Sequence, residues 1–345
     1  MASCSLWIKD LAYSNAIAVT SYPHETGNIG HYQMADGTVG MMSQPPIGGT
    51  LSWLIYEKYQ EAWFLEEVFD NLLQWNEWWL DYRLNQDYLA WGGWPGADAQ
   101  IAAWESGLDN APMYQGQQML ETENAAIHQL ADVGLNSLYV SDCQHLAKMA
   151  DVLGRKTEAQ KLRARAKRFA KKVESLWVEE EQAYLNRNLL TQQPDPHLAP
   201  PLFYPLIAKI PSPARAQAFL KAHYHNEEEF SGEFMLPSCA YNDPLYDNIY
   251  WQGAIWPPLN FLVYLGLREY DPKVAGELAQ HSYDLFLEAW QKHNYVFENI
   301  NSAKGVADPE DQLMTDPFYH WGALMGVMQF MEAGWYDTNQ DRLKP

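Results

Sequence analysis

Apolar residues in this chain recur at three- and four-residue spacing over stretches far too long for strands, which constrains the fold more than any other feature. Residues 62–84 carry Trp63, Val68, Leu72, Trp75 and Trp79 in that pattern, and 47–59 carries a similar one just ahead. Together they predict a helical hairpin. Thr122 to Leu153 is again periodic and apolar, Gly154 ends it, and 157–181 reads as a charged amphipathic helix, so a second hairpin follows. Shorter helices are expected over 199–208 and 212–225, and further helices over 254–269, 272–293 and 317–332. Between them, 85–118, 184–198, 226–250 and 295–316 read as long irregular loops, which compact domains keep mainly when the loops carry function. Strand-type alternation is scarce. The expected architecture is all-α: one domain over 1–345, built as a closed toroid of helical hairpins with working loops at one end, after an irregular or atypical segment 1–43. An open helical solenoid competes with it, but no fixed sequence period supports that form.

Charge removes several classes of partner. With 44 acidic and 23 basic side chains among 345 residues, the net charge is -21, and both nucleic acid and anionic membranes would repel such a chain. The one basic run, Lys161 to Lys172, reads as the solvated face of an outer helix. The chain also holds 15 Trp and 21 Tyr, residues whose flat faces and polar edges suit stacking on sugar rings, nucleobases or partner proteins. Cys4, Cys143 and Cys239 have neither metal-ligand spacing nor the count of a disulfide framework, so reduced thiols are expected. The opening MASCSLWIKDLAYSNAIAV lacks a signal-peptide pattern, and no window reaches membrane-spanning length. These features predict a cytoplasmic location.

Two loops concentrate the chemistry. Within 91–118, the string Trp104-Glu105-Ser106-Gly107-Leu108-Asp109-Asn110-Ala111-Pro112 sets two carboxylates four positions apart, beside a glycine and ahead of a proline, so Asp109 is expected on a shaped turn. Trp94 and Trp104 would desolvate a nearby carboxyl and raise its pKa toward that of a general acid. The plain alternative makes Asp109 a helix cap and leaves Glu105 on the surface. Within 295–316, Glu298 follows two apolar residues and precedes Asn299, Asn301 and Ser302, whereas Asp308, Glu310 and Asp311 read as a polar surface. One carboxyl in each of two loops on one face would supply the acid and base that cleave a glycosidic bond. Between them, Tyr250-Trp251-Gln252-Gly253-Ala254-Ile255-Trp256-Pro257-Pro258 reads as a rigid aromatic platform at a helix start, and Gln44-Pro45-Pro46 has a similar form. His223 and His225 have no further ligand at a metal-binding spacing. Neither a phosphate loop nor a Gly-x-Ser-x-Gly turn is present.

Taken together and in order, WESGLDNAP, YWQGAIWPPLNFLVYLGL, FENINSAKG and HWGALMG resemble glycoside hydrolase family sixty-three and its trehalase-like relatives, with matching motifs over roughly residues 44 to 326. Those relatives include bacterial α-glucosidases and the mannosylglycerate and glucosylglycerate hydrolases. The resemblance implies an (α/α)6 barrel, inverting hydrolysis of an α-glycosidic bond, and no cofactor or metal. It implies Asp109 as general acid and Glu298 as general base, held roughly 6.5–9.5 Å apart so that water fits between. Gln44, Trp94, Trp104, Glu105, Gly107, Asn110, Tyr250, Trp251, Gln252, Trp256 and Trp321 would then bind substrate. The chain departs from the family at Gln252, where arginine is common, and in residues 1–43, which hold no counterpart of the family's first helices and early motif. A small α-glucoside is the first expectation for substrate. The runner-up, mannosylglycerate or glucosylglycerate, would want a cation for its carboxylate, for which Arg83, Arg187 and Arg268 are candidates. From another class, a non-catalytic sugar-binding protein would keep the aromatic residues alone. A sugar epimerase would want paired histidines, and His145, His223 and His225 form no such motif.

Overall fold

The structure is a computed structural model describing residues 7–306, 315–317 and 319–334. The described residues divide into two compact units, the first taking 9–178 and 184–196, the second taking 7–8, 179–183 and those from 197 onward. Both are mainly helical. Ten α-helices occur among the described residues, beside nine strands of only two or three residues each, so the strict all-α expectation is corrected by these short pairings.

In the first unit, α1 (Lys9–Thr20) buries Ala12, Tyr13, Ala16 and Thr20, and the Tyr13 ring packs 4.8 Å from Phe64. Segment 1–43 is therefore not irregular throughout, although the small residues on this stripe hide its period. Next come α2 (Gly48–Tyr59) and α3 (Ala62–Tyr82), the expected hairpin; Gln60 closes α2 in the left-handed region at φ 57°. Phe64, Leu65, Val68, Leu72, Trp75, Trp78 and Trp79 of α3 are buried, whereas Trp63, expected inside, is 46% exposed. Strands β1 (Leu84–Asn85) and β2 (Tyr88–Leu89) form a small hairpin.

The supposed loop 85–118 contains a helix, α4 (Ala99–Ser106), preceded by β3 (Gly92–Gly93). Conversely, the N-terminal part of the expected helix 122–153 is extended chain. There β5 (Ala126–His128) lies between β3 and β4 (Met119–Glu121), antiparallel to both, and β6 (Leu130–Ala131) pairs with 187–188. From Ala125 to Asp132 this stretch is buried throughout, and a run without an exposed face does not reveal its period, so strand and helix read alike. After it, α5 (Val133–Val152) and α6 (Lys156–Glu174) form the second hairpin. Ala159, Leu162, Ala166, Phe169 and Val173 bury one face of α6. Most of the basic run pairs outward, with Arg163 on Asp151 and Arg168 and Lys172 on Asp87, whereas the half-buried Arg165 reaches both Glu77 and the buried Asn76.

The second unit holds a 3-10 segment (Pro200–Leu206), α7 (Pro213–Phe219) running into a π turn, α8 (Pro257–Tyr270), α9 (Pro272–His293) and α10 (Leu324–Glu332). Prolines open α7, α8 and α9, where the missing N–H removes no hydrogen bond and the fixed φ suits the first turn. Ile255, Phe297, Ile300, Val306 and Met325 share one buried cluster, which fastens the chain around Glu298 to that before α8. Cys143 and Cys239 are buried free thiols, whereas Cys4, Asp308, Glu310 and Asp311 lie outside the described residues. No helix among the described residues is long and apolar enough to cross a membrane.

Candidate active site

The string WESGLDNAP folds as one helix end and one turn. Asp98 caps the start of α4, its carboxylate accepting the Ile101 N–H at 3.0 Å. At the other end Glu105 points inward with no exposed surface. Its Oε2 accepts Arg83 Nε at 2.6 Å and the Gly92 N–H at 2.8 Å; its Oε1 accepts Arg83 Nη2 at 2.6 Å and the Ser43 N–H at 3.0 Å. Gly107 then ends the helix at φ 74°, a conformation that costs other residues a steric penalty. Ser106 Oγ accepts the Leu108 N–H at 3.0 Å, and the Leu108 carbonyl accepts the Ala111 N–H at 3.1 Å.

Leu108 and Ala111 are buried by this turn, leaving Asp109 and Asn110 partly accessible at its outer edge. Gln100 Nε2 donates to the Asp109 carbonyl at 2.6 Å, and Gln115 Nε2 to that of Asn110 at 3.4 Å. A cleft of about 250 Å³ opens there, lined by Gln100, Asp109, Asn110, Tyr114 and Gln115 among others. Behind it the Tyr114 hydroxyl donates to Asp132 at 2.8 Å, and Trp91 Nε1 to the same oxygen at 3.0 Å. Burial pushes the Asp132 carboxyl above the usual range and the Tyr114 hydroxyl well above its own.

The helix-cap alternative for Asp109 fails, since Asp98 caps α4 and Ala111 precedes the following 3-10 turn. Nor is Glu105 a surface residue or a group open to substrate: its carboxylate is saturated from within the protein. Gly107 acts through its backbone. Trp94 and Trp104 are 39% and 44% exposed. Gln44 follows Ser43, whose hydroxyl accepts Trp75 Nε1 at 2.8 Å, and its own amide donates to the Ser43 carbonyl at 3.2 Å.

In the second unit, Glu298 is nearly buried and is positioned by its backbone. Its N–H donates to the Asp316 carbonyl at 2.9 Å, and its carbonyl accepts Trp321 Nε1 at 3.1 Å. Two residues on, Ile300 exchanges both backbone hydrogen bonds with Ile255, at 2.7 and 3.0 Å. That pairing brings Glu298 to the string around Trp256. Trp251 and Trp256 stack with ring centroids 3.5 Å apart and planes 8° apart; Tyr250 and Trp321 meet Trp256 edge-on at 5.1 and 5.9 Å. Glu298, Tyr250, Trp251, Gln252, Trp256 and Trp321 thus form one neighbourhood. The aromatic platform is a correction to the expected one: Trp256 has no exposed surface and Trp251 only 4%, so Trp256 backs its neighbour instead of offering a face.

Asn248 was not singled out by the sequence, yet it fixes the turn after Glu298. Its Oδ1 accepts both the N–H and the hydroxyl of Ser302 at 2.8 Å, its amide donates to Asn301, and Asn301 in turn accepts the N–H groups of Ala303 and Lys304 at 2.9 Å. The available signal is an asparagine in a loop, because asparagine tolerates the left-handed backbone found here at φ 62°. Gln100 and Gln115 were likewise missed, as exposed amides give no periodic signal.

The three arginines have partners of their own. Arg83 is spent on Glu105, Arg187 Nη2 donates to the Ser175 carbonyl at 2.6 Å, and Arg268 pairs with Glu332 at 3.4 Å. His223 is also structural: Nδ1 lies 2.7 Å from Glu229, and Nε2 is 2.8 Å from the Glu181 carbonyl.

Comparison with known proteins places these features in a family. Residues 9–321 match the mannosylglycerate hydrolase MGH1-like glycoside hydrolase domain. That match begins on α1, so the segment 9–43, without a recognisable motif, is part of the family's domain after all. A mannosylglycerate hydrolase of Rubrobacter radiotolerans is 25% identical over 289 residues, covering 66% of this chain and 62% of that protein. The chain thus spans about three fifths of the length of the curated relatives it matches. In fold it is similar to the GH63 mannosylglycerate hydrolase of Thermus thermophilus, solved with Tris and D-glycerate, at TM-score 0.74 and 18% identity over 94% of this chain and 90% of that one. The neutral trehalase Nth1 of Saccharomyces cerevisiae also scores 0.74, at 15% identity over 94% of this chain and 68% of that one. With both candidate carboxylates inside the matched residues, this chain belongs to the mannosylglycerate hydrolase MGH1-like glycoside hydrolase family.

Proposed function

We propose that this chain is an inverting glycoside hydrolase whose substrate is a glycosylglycerate, mannosylglycerate first, in place of the simple α-glucoside that the sequence favoured. The family match over 9–321 carries this reading, supported by relatives named for that activity. In this reading the chain is one catalytic domain with an (α/α)6 toroid, works in the cytoplasm, and uses neither cofactor nor metal. Asp109 protonates the leaving glycosidic oxygen and Glu298 takes a proton from the water that attacks the opposite face of the sugar. The partial accessibility of Asp109 and Asn110, which line the cleft at this turn, supports this role. Tyr250, Gln252, Trp321, Trp94, Trp104 and Gln44 remain the candidates for sugar contacts. Carboxylates hold Arg83 and Arg268, which leaves Arg187, bonded to a carbonyl, and neutral donors as the candidates for the glycerate carboxylate.

Turnover of mannosylglycerate, glucosylglycerate, trehalose and other α-glucosides is the test, with product anomers followed by NMR. Mannosylglycerate is expected to be hydrolysed best, with inversion. Asp109→Asn and Glu298→Gln should each lower kcat by about 10²–10⁴-fold. Retention of configuration, or full activity in either variant, would overturn the mechanism. Preference for trehalose would favour the trehalase-like reading suggested by the yeast structure. Sugar binding without turnover would favour a non-catalytic binding protein.

A further inference from the structure

We infer that Glu105 is a positioning residue that sets the proton-donating turn and the Gln44 segment in register, with Arg83 as its counter-ion; the inference rests on the reading of Asp109 as general acid. Glu105 lies four residues before Asp109, in the last turn of α4, and its carboxylate joins three stretches distant in sequence. Arg83 anchors it to the end of α3, the Gly92 N–H to β3, and the Ser43 N–H to the residue before Gln44. The arginine fork fixes the carboxylate plane in addition to neutralising it. Both partners are closed to solvent, at 3% and 0% side-chain exposure, so water can replace neither. The guanidinium also lies over the Trp78 ring, 4.5 Å from its centroid, which restricts Arg83 from the far side. Between this clamp and Asp109 lie only Ser106, Gly107 and Leu108, and all three are constrained: Ser106 and Leu108 are buried, and Gly107 makes the left-handed turn. A shift at Glu105 is therefore passed on to Asp109, and through Ser43 to Gln44.

A purely architectural ion pair would affect all substrates alike, whereas mispositioning of a proton donor matters only where the leaving group needs a proton. Glu105→Gln removes the charge and places an N–H₂ against donors. The comparison is kcat on mannosylglycerate against kcat on α-mannosyl fluoride, whose fluoride departs without protonation, with thermal unfolding followed by circular dichroism. Glu105→Gln is expected to lose at least about tenfold in kcat on the glycoside and less than about threefold on the fluoride, with KM on the glycoside moving less than kcat. Arg83→Lys, which keeps the charge but loses the fork, should show the same split to a smaller degree. It carries the comparison should Glu105→Gln not accumulate as folded protein. Asp109→Asn is the control. If Asp109→Asn is spared on the fluoride but Glu105→Gln loses equally on both substrates, the positioning role is wrong and the general-acid reading stands. If Asp109→Asn itself loses equally on both, the general-acid reading falls, and the inference with it.

Discussion

Asp142 shows how a single buried carboxyl ties pH to stability. Its Oδ1 accepts the Gly49 N–H and its Oδ2 accepts Asn76 Nδ2, each at 2.7 Å, so one side chain of α5 joins the start of α2 to the middle of α3. Burial pushes this carboxyl up to about 7, above its ordinary value of 3.8. The folded state thus holds the proton more tightly than the unfolded chain. The resulting stabilisation is fully present below pH 3.8 and is lost as pH rises through about 7. His128 acts in the opposite sense: burial lowers it to about 4, so its contribution is lost as pH falls from 6.5 through that value. The wild-type profile mixes the two, and the difference between variants separates them. Asp142→Asn should gain in thermal midpoint relative to wild type from pH 4.5 to 7.5, by an amount worth a few kcal/mol. A constant difference across that range would show that Asp142 does not titrate in the folded protein.

At the scale of elements, α4 is short and depends on both of its ends. Asp98→Ala removes the cap on Ile101 and should cost about 1 kcal/mol in urea unfolding. Gly107→Ala should cost a similar amount, about 1 kcal/mol, because alanine resists the left-handed turn. The two should part company in activity, since only Gly107 lies between the Glu105 clamp and Asp109; equal kcat values would show that the turn tolerates the strain. This helix, like α1, was not legible in the sequence. AQIAAWES is eight residues long and buried on several sides, so it shows no apolar stripe, and its motif reads as loop. Long helices with one wet face were legible almost to the residue: α3 ends at Tyr82 and α9 occupies 272–293. The stretch 125–132 misled for a different reason, because burial on all sides removes the contrast on which period depends. As for the candidate site, the motifs drew attention to both proposed carboxylates and to the tryptophans near Glu298. They did not distinguish a residue that lines the cleft from a carboxylate spent on Arg83, since the latter depends on partners 22 and 62 residues away.

For the molecule as a whole, a net charge of -21 means that folding gathers like charges into a smaller volume. Raising monovalent salt from about 0.01 M to 0.15 M, which shortens the screening length to roughly 8 Å, should therefore raise the thermal midpoint. An unchanged or lower midpoint would mean that the surface ion pairs, such as those of α6 with Asp87 and Asp151, outweigh the general repulsion. The stacked tryptophans also make the protein its own optical probe. Two indoles 3.5 Å apart and nearly parallel couple their electronic transitions, and the near-ultraviolet ellipticity should contain a contribution that belongs to the pair and vanishes in Trp251→Phe. Trp321 touches Trp256 and donates to the Glu298 carbonyl, so movement at the proposed base alters the surroundings of that chromophore. Ligand arrival could then be timed by light alone, with no label attached.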